Sequence, residues 1–317
     1  LILECLGDDA RNYIYFKTPE NFAELKKIID CILTYIMEKN CSGKLKVCSV
    51  GISCTGIINN ETQTIVESHN LEYLDNTTLD TLIFPDKKKY FDENGIYICL
   101  LQNSDASIIA EKIYLYLVNS PYKKKKNIIS LYLGVGIGAG IYLDGLYSGT
   151  SGYAGEVGHI KAPDFEKEFN FANQCELIDK SCTCGNKDCY DYKIRSYVFG
   201  MPKDIFAQLS SNKIKDFLSD ECNLKRTELL GKYMGNMINT LTNILNIDLI
   251  IFTGKFYKTM DSLYNSIVSV QDQNQLKFSR NDCTLLTSVY GSLAPSVGAA
   301  LYAYHKKYNI ELRWDYD

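Results

Sequence analysis

Apolar positions recur at helical spacing through Phe22, Leu25, Ile28, Ile29, Ile32, Leu33 and Ile36, which predicts a helix with one buried face. Thr18-Pro19-Glu20 precedes it and offers a cap followed by proline at the first helical position. Further upstream, residues 1–6 and 13–16 read as short β-like runs joined by a polar turn at Gly7-Asp8-Asp9. Residues 46–53 and 96–101 read as strands, and residues 106–117 as a helix. This alternation predicts an α/β fold with a partly parallel sheet.

The second half repeats the theme. Residues 128–133 form an apolar strand leading into a glycine-rich turn, Gly134-Val135-Gly136-Ile137-Gly138-Ala139-Gly140. Ile141-Tyr142-Leu143 then returns to Leu146-Tyr147 through Asp144-Gly145, a hairpin signal. Leu229, Leu230, Tyr233, Met237, Leu241 and Leu245 form the stripe of a long helix, a strand at 249–252 stops at Thr253-Gly254, and a last helix covers about 295–308. No short-period repeat is present, which excludes a solenoid.

A length of 317 residues suits two lobes of ordinary size. Hydrophobic content of 46% and charged content of 23% are globular values. The net charge of −4 argues against nucleic-acid binding by the chain as a whole. The run Lys123-Lys124-Lys125-Lys126 reads as a solvated loop. Twelve cysteines with no signal peptide point to a reducing, cytoplasmic compartment. Most lie in apolar strands and helices, where thiols pack as small hydrophobes. No apolar run approaches the ~20 residues of a membrane helix.

One cysteine cluster differs. Cys182, Cys184 and Cys189 fall within Cys-Thr-Cys-Gly-Asn-Lys-Asp-Cys, and His159 precedes them. Thiolates and imidazole are ligands that zinc prefers, and Gly185 lets the chain turn between them. Four protein ligands would close the shell, making the ion structural and not hydrolytic. A cysteine-rich loop without metal is the alternative that spacing alone leaves open.

Gly152-Tyr153-Ala154-Gly155-Glu156-Val157-Gly158-His159 resembles the Ala-Gly-Glu-Ile-Gly-His element of the ROK family (repressors, open reading frames, kinases), and the Cys-x-Cys-Gly-x-x-x-Cys run is similar to the motif that follows it there. The resemblance implies that His159 ligates zinc with Cys182, Cys184 and Cys189 while also facing a sugar, and that Glu156 bonds sugar hydroxyls. It extends over nearly the whole chain. Residues 50–59 look like the family's strand and turn ending in Pro-Gly-x-x-Asp, with Gly56 kept and Thr55 and Asn59 as departures. Asn103-Ser104-Asp105-Ala106-Ser107 resembles the Asn-Asp-Ala-Asn element, which puts Ser104 at the sugar and Asp105 on the general base of a sugar kinase. Gly134, Gly136 and Gly138 fall on the second phosphate-binding loop, and Gly254 on the adenosine-side loop. The fold implied is that of the hexokinase and actin (ASKHA) superfamily: two ribonuclease-H-like lobes around a sugar-binding cleft. The N-terminal lobe would span 1–118, with the helix at 295–317 packing back on it, and the C-terminal lobe with its zinc loop 119–294.

The departures fall on catalytic and nucleotide positions. The family's first strand, ending in Asp-x-Gly-Gly-Thr, has no counterpart, because Leu1 aligns just beyond it. Val135 replaces a threonine of the phosphate loop, Ser104 and Ser107 replace asparagines, and Asp191 replaces a sugar-binding glutamate. Gly254 alone remains of a glycine triplet, between Thr253 and Lys255. Phosphoryl transfer depends on positioning and charge stabilisation, whereas sugar binding needs none of the phosphate donors. The segment from His305 through Arg313-Trp314-Asp315-Tyr316-Asp317 also looks more like the regulators. The favoured expectation is the sugar-binding core of a carbohydrate-responsive regulator, homodimeric, with its DNA-binding domain upstream of Leu1. The alternative is an ATP- and Mg-dependent hexose or amino-sugar kinase, and a plain sugar-binding module is a third. The ligand in every case is a monosaccharide or amino sugar.

Overall fold

The chain runs α1 (Phe22–Cys41), β1 (Ser49–Cys54), β2 (Ile57–Asn59), β3 (Thr64–Glu67), β4 (Thr77–Thr78), α2 (Leu79–Leu82), α3 (Pro85–Glu93), β5 (Tyr97–Gln102) and α4 (Asn103–Leu117). It continues through β6 (Asn127–Leu133), β7 (Ile137–Leu143), α5 (Tyr190–Lys193), α6 (Lys203–Ala207), α7 (Ser211–Ser219), α8 (Leu224–Leu245), β8 (Leu249–Gly254), α9 (Met260–Asn274), β9 (Thr284–Thr287) and α10 (Ala294–Lys307). These elements come from a computed structural model that describes residues 16–44, 46–170, 181–274 and 283–310. The strand expected at 1–6, most of that at 13–16 and the tail at 311–317 lie outside the described residues. Two units are distinct: one takes the chain through Tyr114, Ser148–Tyr153 and Leu293 onward, the other Leu115–Tyr147 and Ala154–Ser292.

In the first unit β1 and β5 pair in parallel, from Ser49 opposite Tyr97 to Cys54 opposite Gln102. A small antiparallel sheet, β2-β3-β4, stands beside them. Ile58, Ile65, Phe91, Ile96 and Leu100 form its core with Ile29 and Leu33 of α1, and burying each such side chain stabilises the unit by about 1.5–3 kcal/mol. The expected face of α1 is only partly covered, since Ile29 and Leu33 alone are buried. Its cap is also displaced from Thr18: Asn21 is the N-cap, its side chain accepting from the Glu24 amide, and an asparagine there satisfies an otherwise orphaned donor. Helix α10 lies flush on β1 and β5. A Cβ on Gly51 would stand 1.9 Å from the Ala299 carbonyl oxygen, so only glycine permits that approach.

The second unit holds the sheet β7-β6-β8-β9. Strands β6 and β7 are antiparallel, while β6/β8 and β8/β9 are parallel. Every residue of β8 is buried, which explains its unbroken apolar run in sequence. The stripe Leu229, Leu230, Tyr233, Met237 and Leu241 of α8 is buried as expected, while Leu245 at the end of the helix is only half-buried, and α8 packs along α9.

The glycine-rich turn is shorter than its sequence suggests. Strand β7 starts at Ile137, and Gly138 pairs with Tyr132 inside the ladder. Only residues 134–136 turn, closed by the Gly134 amide donating to the Gly136 carbonyl at 2.9 Å. The reason is visible on the other edge of β7, where the Ala139 amide donates to Gly155 at 2.8 Å: small residues here admit a neighbouring backbone. The Asp144-Gly145 return forms a single bridge, Tyr142 to Leu146, rather than a full hairpin. Among the described residues no helix is long and apolar enough to cross a membrane.

Candidate functional site

In the second unit the chain leaves β7, passes Glu156 and makes a short 3-10 turn, Val157–His159. Beyond it the backbone runs against the segment entering α5. Ala162 donates to Asp188 at 2.7 Å, Tyr190 donates to Ile160 at 3.1 Å, and Lys161 bridges Cys189. This pairing carries His159 to the cysteine loop. Within the loop, Cys182 donates to Asn186 at 2.8 Å and Gly185 to Cys182 at 2.9 Å. Gly185 has a φ of 84°. The result is a tight knuckle.

The ligand atoms of His159, Cys182, Cys184 and Cys189 all lie within 4.8 Å of one another. Cys182 Sγ is 3.7 Å from His159 Nδ1, and Cys184 Sγ is 4.0 Å from Cys189 Sγ. A tetrahedral zinc would set edges of about 3.6 Å between nitrogen and sulfur and about 3.8 Å between sulfurs. The donor set and its spacing therefore fit a closed structural zinc, with Nδ1 as the histidine ligand. Nε2 faces the other way, 3.8 Å from Glu156 Oε2. One imidazole thus joins the metal-type cluster to a carboxylate that can meet a ligand, and a ligating ring oriented in this way is held to one rotamer.

The electrostatics place the negative charge of the cluster on one sulfur. The Cys189 thiol hydrogen-bonds Cys182 and, with His159 beside it, holds the Cys182 sulfur well below the ordinary thiol range. Cys189 is pushed up in return. The Cys182 sulfur, and then the Asp191 carboxylate, raise His159 to about 9 against the lowering effect of burial.

Helix α5 follows its N-cap Cys189 and carries Asp191. Its position is set by buried polar contacts. Lys193 Nζ, 3% exposed, bonds Pro163 O at 3.0 Å, Asp164 Oδ1 at 2.5 Å and Glu166 Oε1 at 3.2 Å. Tyr233 donates to Glu166 Oε2 at 2.6 Å, and Tyr190 donates to Asn236 Oδ1 at 2.6 Å. Both tyrosine contacts fasten the segment, or its counter-ion, to α8. Asp191 then reaches the glycine turn: its Oδ1 accepts from the Ile137 amide at 2.8 Å. A Cβ on Gly158 would meet that oxygen at 2.4 Å, so the carboxylate occupies room that a side chain would need. Burial pushes Asp191 up to about 7, while His159 pulls it down. Behind the turn lies a pocket whose lining sets Leu133, Phe206, Leu230, Met234 and Phe256 beside Asp191 and Arg195.

The structure thus brings together Glu156, His159, Asp191, the three cysteines, Gly134 and Gly136. Gly138 lies in the β7 ladder. Gly254 ends β8 opposite Leu133, with a φ of 75°.

Gly56, Ser104 and Asp105 belong to the first unit. Gly56, with a φ of 106°, makes the turn from β1 to β2. Ser104 and Asp105 occupy the first turn of α4 and are buried, 4% and 1% exposed, where a carboxylate is also favoured by the helix dipole. Asp105 Oδ2 accepts a hydrogen bond from Ser148 Oγ. Asn60 Nδ2 donates to that same hydroxyl at 3.3 Å. Asn59, where the family carries aspartate, spends its side chain on the amides of Glu61 and Thr62, each at 3.0 Å. Sequence reasoning missed Asn60, Ser148 and Lys193. Nothing local marks them, because each acts on a residue remote in the chain.

Residues 9–306 match the ROK family, and the chain belongs to it. It is 25% identical over 297 residues to the xylose repressor of Bacillus spizizenii, covering 92% of this chain and 69% of that protein. It is 26% identical over 259 residues to the N-acetyl-D-glucosamine kinase of Histophilus somni, covering 78% of each. Among solved structures, a ROK hexokinase from Thermus thermophilus superposes with a TM-score of 0.64 at 15% identity, covering 94% of this chain and 91% of that one. The fold is accordingly the mixed α/β fold shared by solved ROK regulators and kinases.

Proposed function

We propose that this chain is the sugar-binding core of a ROK carbohydrate-responsive regulator, with a structural zinc on His159, Cys182, Cys184 and Cys189. Glu156, His159 and Asp191 are assigned as sugar contacts, together with Gly56, Ser104 and Asp105. The observation that carries the regulator reading is the place of the Asp191 carboxylate. A phosphoryl-transfer site needs the amides of its glycine turn for phosphate oxygens. Here the Gly134 amide is committed to the Gly136 carbonyl, and the Ile137 amide, at the start of β7 just past the turn, to Asp191, whose carboxylate stands against Gly136. Val135 adds no hydroxyl to the turn. Ionised, the carboxylate also repels a phosphate; protonated, it still fills the space.

Likeness to a xylose repressor supports the reading, and likeness to an N-acetylglucosamine kinase sustains the rival one. DNA contact is assigned to a segment outside these residues, in keeping with the net charge of −4, and the assembly is proposed to be a homodimer. The test uses the native gene product with pentoses, hexoses and N-acetylhexosamines, measuring ADP release, calorimetric binding and operator DNA retention. Sugar binding with background ADP release and sugar-dependent loss of DNA is expected. Turnover of about 1–100 per second, abolished in Asp105→Asn, would establish the kinase instead. Sugar binding with neither activity would leave a plain binding module.

A further inference from the structure

The Asp105 carboxylate is nearly inaccessible in the first turn of α4, and a buried carboxylate is tolerated only where hydrogen bonds replace water. Its Oδ2 accepts from Ser148 Oγ. Ser148 arrives from far along the chain, on the 148–153 segment that belongs to the same unit. That segment is seated by Gly152, whose φ is 79° and whose Cα leaves no room for a side chain against the Ile58 carbonyl. A serine hydroxyl has one hydrogen to give and lone pairs to accept with. Asn60 Nδ2 supplies a hydrogen to that oxygen at 3.3 Å, so the polarity runs one way, from Asn60 to Ser148 to Asp105.

This fixes something that the backbone alone leaves loose. The terminal torsion of aspartate is broad and nearly two-fold, so a helix start does not decide which oxygen points where. An ionised carboxylate offers about four acceptor sites, and Ser148 occupies one on Oδ2 while keeping the plane of the group set.

We propose that Ser148, oriented by Asn60, is a positioning residue that sets the carboxylate plane of Asp105 and thereby which sugar hydroxyl the site accepts. The sugar half of the statement rests on the proposed function; the carboxylate half does not. Two measurements separate them. Isotope-edited infrared spectroscopy of Asp-labelled protein, with Asp105→Asn assigning the band, reads the carboxylate directly and without sugar. The antisymmetric stretch of Asp105 is expected to move in Ser148→Ala and to return in Ser148→Thr, which keeps the hydroxyl. Calorimetry with the parent sugar and its singly deoxygenated analogues then reads specificity. Ser148→Ala should lose about tenfold in affinity and bind parent and analogue alike at one position, and Ser148→Thr should recover both. An unmoved band in folded Ser148→Ala overturns the positioning role. A moved band with unchanged discrimination overturns the specificity role. A wild-type protein that binds no sugar refutes the proposed function and, with it, the specificity role, while the infrared band still decides whether Ser148 holds Asp105.

Discussion

The Asp105 carboxylate accepts from the Ser148 hydroxyl and sits on regular structure, a helix start beside parallel strands, whereas the 182–189 knuckle has almost no regular structure around it. In the knuckle, shape comes from a few backbone bonds, four metal-type ligands and the ion pairs under α5. The difference teaches where each site is vulnerable. A site on a helix end loses precision when a partner is removed but keeps its fold. A site on a loop stands or falls with whatever staples it, because ordering each loop residue costs about 1–2 kcal/mol of backbone entropy.

The largest expected effect follows from removing the staple. If the proposed zinc is bound, Cys189→Ser, at a fully buried position of the donor set, should take the metal content from one per chain to none and remove the local folding free energy that metal binding supplies. Elemental analysis and hydrogen exchange across residues 157–162 and 181–190 would show it. Full metal content with unchanged protection would rule out the centre.

Lys193→Met probes the second support. Lys193 and Glu166 are both buried, so removing the cation strands a carboxylate, and breaking such a pair costs about 3–5 kcal/mol. Urea unfolding measures this, and zinc should remain at full occupancy. A loss under about 1 kcal/mol, the range of exposed pairs, would mean that α5 is held by its tyrosines alone.

A smaller effect, of another kind, is expected at Glu156. Its side chain is partly exposed beside His159, so Glu156→Ala should leave thermal stability nearly unchanged while costing about 1–3 kcal/mol of sugar affinity. Calorimetry against the panel decides between loss and indifference, and indifference removes Glu156 from the site.

The smallest effect concerns pH. Lys167 and then Lys193 hold Asp164 down at about 2, below the ordinary value of about 3.9. A carboxyl lowered in the folded state adds stability that is fully present above about pH 4 and is lost as pH falls towards 2. Asp164 is half exposed, so solvent screens the gain. Asp164→Asn should flatten the acid limb of stability only in that window, read by thermal unfolding at closely spaced pH values. An identical acid limb in the variant would show that the pair contributes nothing.

How much of this was legible beforehand follows from where the information lies. The helices α4, α8 and α10 and the strands β5, β6 and β8 announce themselves through apolar periodicity, which is local. The metal-type donor set is also legible, since three of its four members sit within eight residues and their residue types admit few other uses. The end of the glycine turn was not, because Gly138 enters the ladder only through its pairing with Tyr132. Nor was the cap of α1, where Asn21 rather than Thr18 reaches a free amide. By itself, then, the sequence determined the family, the order of the strongly periodic helices and strands and the metal-type donor set, while the short elements β2–β4, α2, α3, α5–α7, α9 and β9 were not read from it. Only tertiary structure decided that Asp191 closes on the Ile137 amide, that Lys193 is buried against Glu166, and that Ser148 reaches Asp105. Those bonds join residues 54, 27 and 43 positions apart, and no local preference encodes a hydrogen bond whose partner arrives only when the chain has folded.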